Sequence, residues 1–236
     1  YVNKSFLNLM IPNVDPAGEQ LEFVKTASQQ HEGKFDVLFV HGAWGDVRVW
    51  ENYMSHFVEN ENVASVAAFS LQAHGNSSDY GYSYKWRRIA DYASDINKIV
   101  ENKYAGDSSK LVLVCHSMGG YACQKYLQMY GKQPFAMVLL ASIPPVPGPA
   151  PSGNRSELRE KMGPAIKKCL KQMSSTPLIE DYEFAKFLLH HDSLSDDIGR
   201  VYHARMQNES YLTLLDYMAR LNTVNLDEMQ KQIKPG

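Results

Sequence analysis

The sequence predicts an α/β protein built on a mostly parallel sheet flanked by helices. Short apolar runs at 35–40, 63–71, 111–114 and 135–141 alternate with stretches whose apolar residues recur at helical spacing. Turn formers punctuate the boundaries, as strand-helix-strand crossovers require. After Gly148 the strand signals stop, and only helical periodicities follow.

The N-terminal runs Ser5–Ile11 and Gln20–Thr26 alternate weakly around Pro12-Asn-Val-Asp-Pro16, which predicts an antiparallel pair. Phe35–Val40 predicts a buried strand that leads through His41-Gly-Ala-Trp-Gly-Asp46 into a helix ending near Val58. Val63–Leu71 predicts another strand, closed by the loop Gln72-Ala-His-Gly-Asn-Ser77. From Trp86 to Lys103, Ile89, Tyr92, Ala93, Ile96, Ile99 and Val100 fall on one helical face, suited to packing on a sheet. Phe135–Ala141 predicts a further buried strand, ending at Ser142-Ile-Pro-Pro145. Pro149–Asn154 is a linker. Beyond it four helices are expected: one marked by Leu158, Met162, Ile166, Cys169, Leu170 and Met173, one by Tyr182 to Leu188, then Asp196–Met206 and Glu209–Leu221. The basic residues of the first are interrupted by Glu157 and Glu160, so they are read as a solvated face. Most methionines and aromatics of these helices are read as core.

The chain turns on Lys110-Leu-Val-Leu-Val-Cys-His-Ser-Met-Gly-Gly120, a buried strand followed by a helix from Tyr121. Ser117 stands at the centre of Cys-His-Ser-Met-Gly, a small-x-nucleophile-x-Gly pattern. A strand-to-helix turn that sharp pushes the serine outward and tolerates no bulk two residues to either side. Gly119 fits; Cys115 stands where a first glycine is usual. Ser117 then sits at a helix N-terminus, where free N–H groups favour a developing negative charge. The competing reading is a plain N-cap serine.

With 236 residues, 44% of them apolar, the chain can bury a core as one domain with an insertion. A formal net charge of -2 gives no electrostatic reason to expect nucleic acid. No apolar stretch predicts a transmembrane segment. Three cysteines, Cys115, Cys123 and Cys169, leave an odd count, so no disulfide framework is expected and a reducing compartment is favoured.

Together, Val37-Leu-Phe-Val-His-Gly-Ala-Trp44, Ala73-His-Gly-Asn-Ser77, the Ser117 segment and Val138-Leu-Leu-Ala-Ser-Ile-Pro-Pro145 resemble the α/β-hydrolase family over nearly the whole chain. The likeness is to the lid-bearing esterase and lysophospholipase-like members. It implies a core at 1–148, a helical cap at 149–222 and a return to the core at 223–236, C-terminally incomplete. By the same resemblance Ser117 is the nucleophile, and the backbone N–H groups of Met118 and Ala43 are the oxyanion donors, with the Trp44 N–H the less favoured alternative to Ala43. A serine rather than an aspartate at the elbow sets the chain apart from epoxide hydrolases and haloalkane dehalogenases of this fold.

The family places its Asp or Glu, then its His, after two further strands. Those strands are expected beyond Gly236. Within the chain, His41, His74, His116, His190, His191 and His203 are each read as loop, surface or packing residues, and no metal or cofactor is expected. Two functions follow. One is a serine hydrolase acting on a small-molecule carboxylic ester, near-inert without its acid and base. The other is an inactive α/β-hydrolase-like subunit whose open sheet edge, at 136–141, is covered by a protein partner.

Overall fold

β-branched and aromatic runs build the centre of a five-stranded sheet. A computed structural model describes residues 20–27, 32–79, 83–144, 155–189, 194–218 and 224–233. The strands are β1 (Phe23–Ala27), β2 (Phe35–Val40), β3 (Val63–Phe69), β4 (Leu111–His116) and β5 (Ala136–Leu140), in the order β1-β3-β2-β4-β5. β1 runs antiparallel to β3 and the other pairings are parallel. The N-terminal pairing is therefore with β3. The expected partner strand at 5–11 lies outside the described residues.

Alternate residues of β2 and β3 go to opposite faces, and both faces are covered, which explains their near-continuous apolar character. Leu38, Val40, Ala67 and Phe69 lie under α2 (Ile89–Lys103) and α3 (Met118–Tyr130). Val37, Phe39, Val66 and Ala68 meet Trp50 and Met54 of a 3₁₀ turn and α1 (Glu51–Phe57). Phe39 stacks on Trp50 with ring centroids 4.7 Å apart. All six apolar residues expected on the inner face of α2 are buried. The helix starts at Ile89 rather than Trp86, because Tyr84–Trp86 forms a separate 3₁₀ turn.

Two expectations need correction. β5 is a strand but not a buried one: Val138, Leu139 and Leu140 are 41%, 43% and 36% exposed. The strand pairs only with β4 and forms the edge of the sheet. Its apolar composition reports a site for burial, whereas its exposure reports the lack of a neighbour among the described residues. Second, Cys115 and Cys123 form a disulfide and Cys169 is free and buried. The odd count concealed a bonded pair, because the first turns of α3 fold back over the end of β4. The bond removes the ground for favouring a reducing compartment.

After β5 come α4 (Arg155–Gln172), α5 (Tyr182–Leu189), α6 (Asp196–Ala204), α7 (Tyr211–Met218) and α8 (Leu226–Gln232). The linker at 149–154 lies outside the described residues. Cys169 of α4 is buried as expected, but Leu170, also placed on its apolar face, is 51% exposed, as is Met173 just beyond. α7 docks through polar groups. Asp216 accepts from the Ile89 N–H at 3.1 Å and pairs with the Arg88 guanidinium, while Thr213 Oγ1 donates to Arg87 O at 2.8 Å. α8, a helix not foreseen, lies on α3, where the Gln128 amide donates to Glu228 at 2.6 Å and accepts from the Asn225 N–H at 3.1 Å. Among the described residues no helix is long and apolar enough to cross a membrane.

Candidate active site

β4 ends and α3 begins at Ser117, whose backbone takes φ 51° and ψ -119°. A non-glycine residue there stores of order 1–3 kcal/mol of strain, which persists only where the surroundings hold it. They do: the Ser117 N–H donates to Leu140 O at 3.0 Å, and its carbonyl accepts from the Ile143 N–H at 3.1 Å. The Ser117 hydroxyl makes no capping bond to α3, so the N-cap reading of this serine fails. Gly119 is required because a Cβ there would stand 2.2 Å from His41 O. The elbow is thus pressed against the loop that follows β2.

That loop, His41 to Asp46, is held from beneath. His41 is fully buried; its Nδ1 donates to Gly42 O at 2.8 Å and its Nε2 accepts from the Leu71 N–H at 2.9 Å. Burial, reinforced by the nearby His74 charge, lowers its pKa to about 4, so the ring is neutral and its tautomer is fixed by both bonds. Trp44 sits at φ 61°, strained for a bulky residue. Gly42 packs so closely that a Cβ there would lie 3.0 Å from Ser117 Cβ. Among the described residues the N–H groups of Ala43 and Met118 have no hydrogen-bond acceptor.

A cavity of about 370 Å³ opens over this junction. Ala43, Trp44 and Ser117 line its inner side, and Leu188, Leu189, Tyr202, Arg205 and Met206 of the helical segment line the other. Asp46 also borders it but is occupied. The Arg48 Nε donates to both of its carboxylate oxygens at 2.9 Å, and a second guanidinium nitrogen pairs with Oδ2. Burial alone would raise the Asp46 pKa; the Arg48 partner outweighs it and holds the carboxyl below its usual range.

Ser117 and Ala43 therefore meet at one cavity, with the buried Met118 directly after Ser117 at the start of α3. Among the described residues no side chain hydrogen-bonds the Ser117 hydroxyl. His116 borders the cavity, and its ring lies edge-on to Trp50 with centroids 6.4 Å apart. His203 bonds Ile179 O at 2.7 Å, away from the serine. His190 and His191 lie outside the described residues.

Residues 37–228 match the Alpha/beta hydrolase family. The chain belongs to that family. Its fold is shared with an esterase from Exiguobacterium antarcticum, 16% identical over 92% of this chain and 75% of that one, with a TM-score of 0.63. A carboxylesterase structure from the thaumarchaeon Nitrososphaera gargenis is 13% identical over 90% and 73% of the two chains, at a TM-score of 0.59. A bromoperoxidase from Bacillus anthracis is 18% identical over 91% and 75%, at 0.60. At such identities the likeness is one of fold. No curated protein matches the chain in sequence.

This alpha/beta hydrolase also carries a buried polar network that its sequence did not announce. Glu209 accepts from Tyr92 Oη and the Ser210 N–H, each at 2.6 Å. Its other oxygen lies 3.3 Å from His74 Nε2; neither atom has a hydrogen-bond partner, so the contact is one of charge. Burial pushes the His74 pKa down, but Glu209 more than compensates and raises it. Burial likewise pushes Glu209 up, and His74 holds it below its usual value. The pair joins the loop after β3 to the segment before α7. The only sequence signal was indirect: a glutamate beside an apolar helix and a histidine in a turn-rich loop.

Proposed function

We propose that the protein is a serine hydrolase acting on carboxylic esters, with Ser117 as nucleophile and the N–H groups of Met118 and Ala43 as oxyanion donors. The supporting observation is the strained Ser117 turn at the N-terminus of α3, beside a cavity and next to a loop N–H without an acceptor. Ser117 Oγ attacks the ester carbonyl carbon; the carbonyl π electrons move to oxygen, and the two N–H groups hold the resulting oxyanion. Collapse expels the alcohol, which takes up the proton lost by the serine, and leaves an acyl-enzyme that water hydrolyses. Losing one such donor costs about 10²–10³ in rate. On this reading α4 to α7 form the cap at 149–222, whose Leu188, Leu189 and Met206 shape the acyl site.

Serine is a weak nucleophile without a base. The proposal therefore places the acid and the base on strands that pair with the open edge of β5. Two facts favour this: β5 exposes apolar residues at that edge, and the chain spans 73–75% of the length of the three structures compared above. The same exposed edge, with the unpartnered Ser117 hydroxyl, favours a second reading: an inactive subunit whose edge a protein partner covers. A fluorophosphonate probe separates them. The hydrolase labels at Ser117 and Ser117→Ala abolishes both labelling and ester turnover, whereas full-length protein that resists the probe is the inactive subunit.

A further inference from the structure

The outer wall of the cavity is mostly apolar, yet among the described residues it carries a cation without a carboxylate partner. Arg48 and Asp46 neutralise each other through a forked guanidinium-carboxylate contact. Arg205 also lines the cavity, and among the described residues no carboxylate pairs with it. Its backbone is fixed even though its side chain is exposed. Arg205 O accepts from the Arg48 guanidinium at 3.4 Å, and two residues on the Gln207 N–H donates to Trp44 O at 2.8 Å.

We propose that this cavity selects esters carrying a second, free carboxylate, which the Arg205 guanidinium holds. The inference rests on the ester-hydrolase reading of the same site. A guanidinium fork matches a carboxylate in plane and charge, where an ammonium offers only a point charge. With Asp46 occupied by Arg48, the charged groups among the described residues of the cavity sum to a positive charge that attracts anions and disfavours cationic substrates. The apolar side chains of Leu188, Leu189 and Met206 then take the hydrocarbon between ester and carboxylate. The carboxylate can lie on the acyl side of the ester or on the leaving group, and the test separates the two.

Isothermal titration with non-hydrolysed amide analogues reads this without turnover. The ligands are glutaric acid monoanilide, with its carboxylate on the acyl side, 4-butyramidobenzoate, with its carboxylate on the leaving group, and neutral butyranilide. They are titrated into wild-type and Ser117→Ala protein. One carboxylate should bind about tenfold tighter than butyranilide, a preference that weakens with added salt. Arg205→Gln should erase the preference without weakening butyranilide, and Arg205→Lys should keep part of it. If neither carboxylate outbinds butyranilide, or if Arg205→Gln leaves the preference intact, the inference is wrong. Protein that takes the fluorophosphonate but shows no carboxylate preference overturns this inference alone; carboxylate preference without labelling overturns the hydrolase reading alone.

Discussion

Asp95 lies on the inner face of α2, fully buried, and among the described residues its hydrogen-bond partners belong to Gln72: the backbone N–H at 2.8 Å and the side-chain amide at 3.1 Å. Burial outweighs both bonds and raises its pKa from 3.8 to about 7. The folded state therefore binds a proton that the unfolded chain has already released above pH 4. Its contribution to stability is whole below the unfolded pKa and is lost as pH rises through the folded one. The slope is about 1.4 kcal/mol per pH unit in that window, or about 4 kcal/mol across it. Asp95→Asn keeps an acceptor for the Gln72 N–H and removes the titration. Urea unfolding of both proteins from pH 4.5 to 7.5 isolates the effect, since other groups cancel in the difference. The variant should gain on the wild type steadily as pH rises. A difference that stays flat across this range would refute the reasoning, because it would mean that Asp95 ionises in the fold as it does in water.

The buried pair behaves differently. Glu209→Ala should cost about 3–5 kcal/mol in urea unfolding, because it strands the His74 charge and the Tyr92 hydroxyl. In the wild type the lowered Glu209 pKa contributes stability that is lost as pH falls through it, and the raised His74 pKa contributes stability that is lost as pH rises through it. The pair should therefore stabilise most between those two titrations, and a wild-type-minus-variant difference without that maximum counts against it. Thiol titration in denaturant should find one free thiol, Cys169, before reduction and three after it; three before reduction would mean that no bond forms. In hydrogen exchange, β5 amides should exchange orders of magnitude faster than those of β2, which is bonded on both sides. Equal protection would mean that something already covers the edge.

Periodicity and turn chemistry placed β2 to β5, α2, α3 and the Ser117 elbow, because each is written in contiguous residues: apolar runs, a helical stripe, glycines at a tight approach. What escaped depends on partners remote in sequence. Glu209 meets residues 117 and more positions away, and the burial of an acid cannot be read where only its neighbours in the chain are visible. β5 looked buried because Ala-Met-Val-Leu-Leu encodes an interior strand, while exposure depends on what lies beside it. The disulfide was missed for the opposite reason. Cys115 and Cys123 are only 8 residues apart, but the odd total of three argued against any bond. Arg205 had no signal at all: it sits near the end of a helix expected at 196–206, with nothing in its neighbours to mark it.

The edge of the sheet and the serine are one problem rather than two. Ser117 keeps its strained backbone because its N–H reaches Leu140 O, at the end of β5, and its carbonyl reaches the Ile143 N–H just beyond. The Ser117 carbonyl also accepts from the Gly120 N–H of α3 at 3.1 Å, but the N–H restraint and one of the carbonyl restraints come from β5, which among the described residues pairs on one side, and from the residues just beyond it. Site geometry must hold within about 0.5 Å for efficient catalysis. Whatever pairs with β5, whether further strands of the same chain or a partner, would therefore do more than hide Val138 to Leu140 from water. It would fix the ends of the hydrogen bonds from β5 that help hold Ser117 at φ 51°, and so couple pairing at this edge to the geometry of the proposed nucleophile. The loop carrying Ala43 needs no such help. His41 anchors it to the end of β3, in the buried centre of the sheet, so on the proposed reading the Ala43 donor is preorganised without help from the edge.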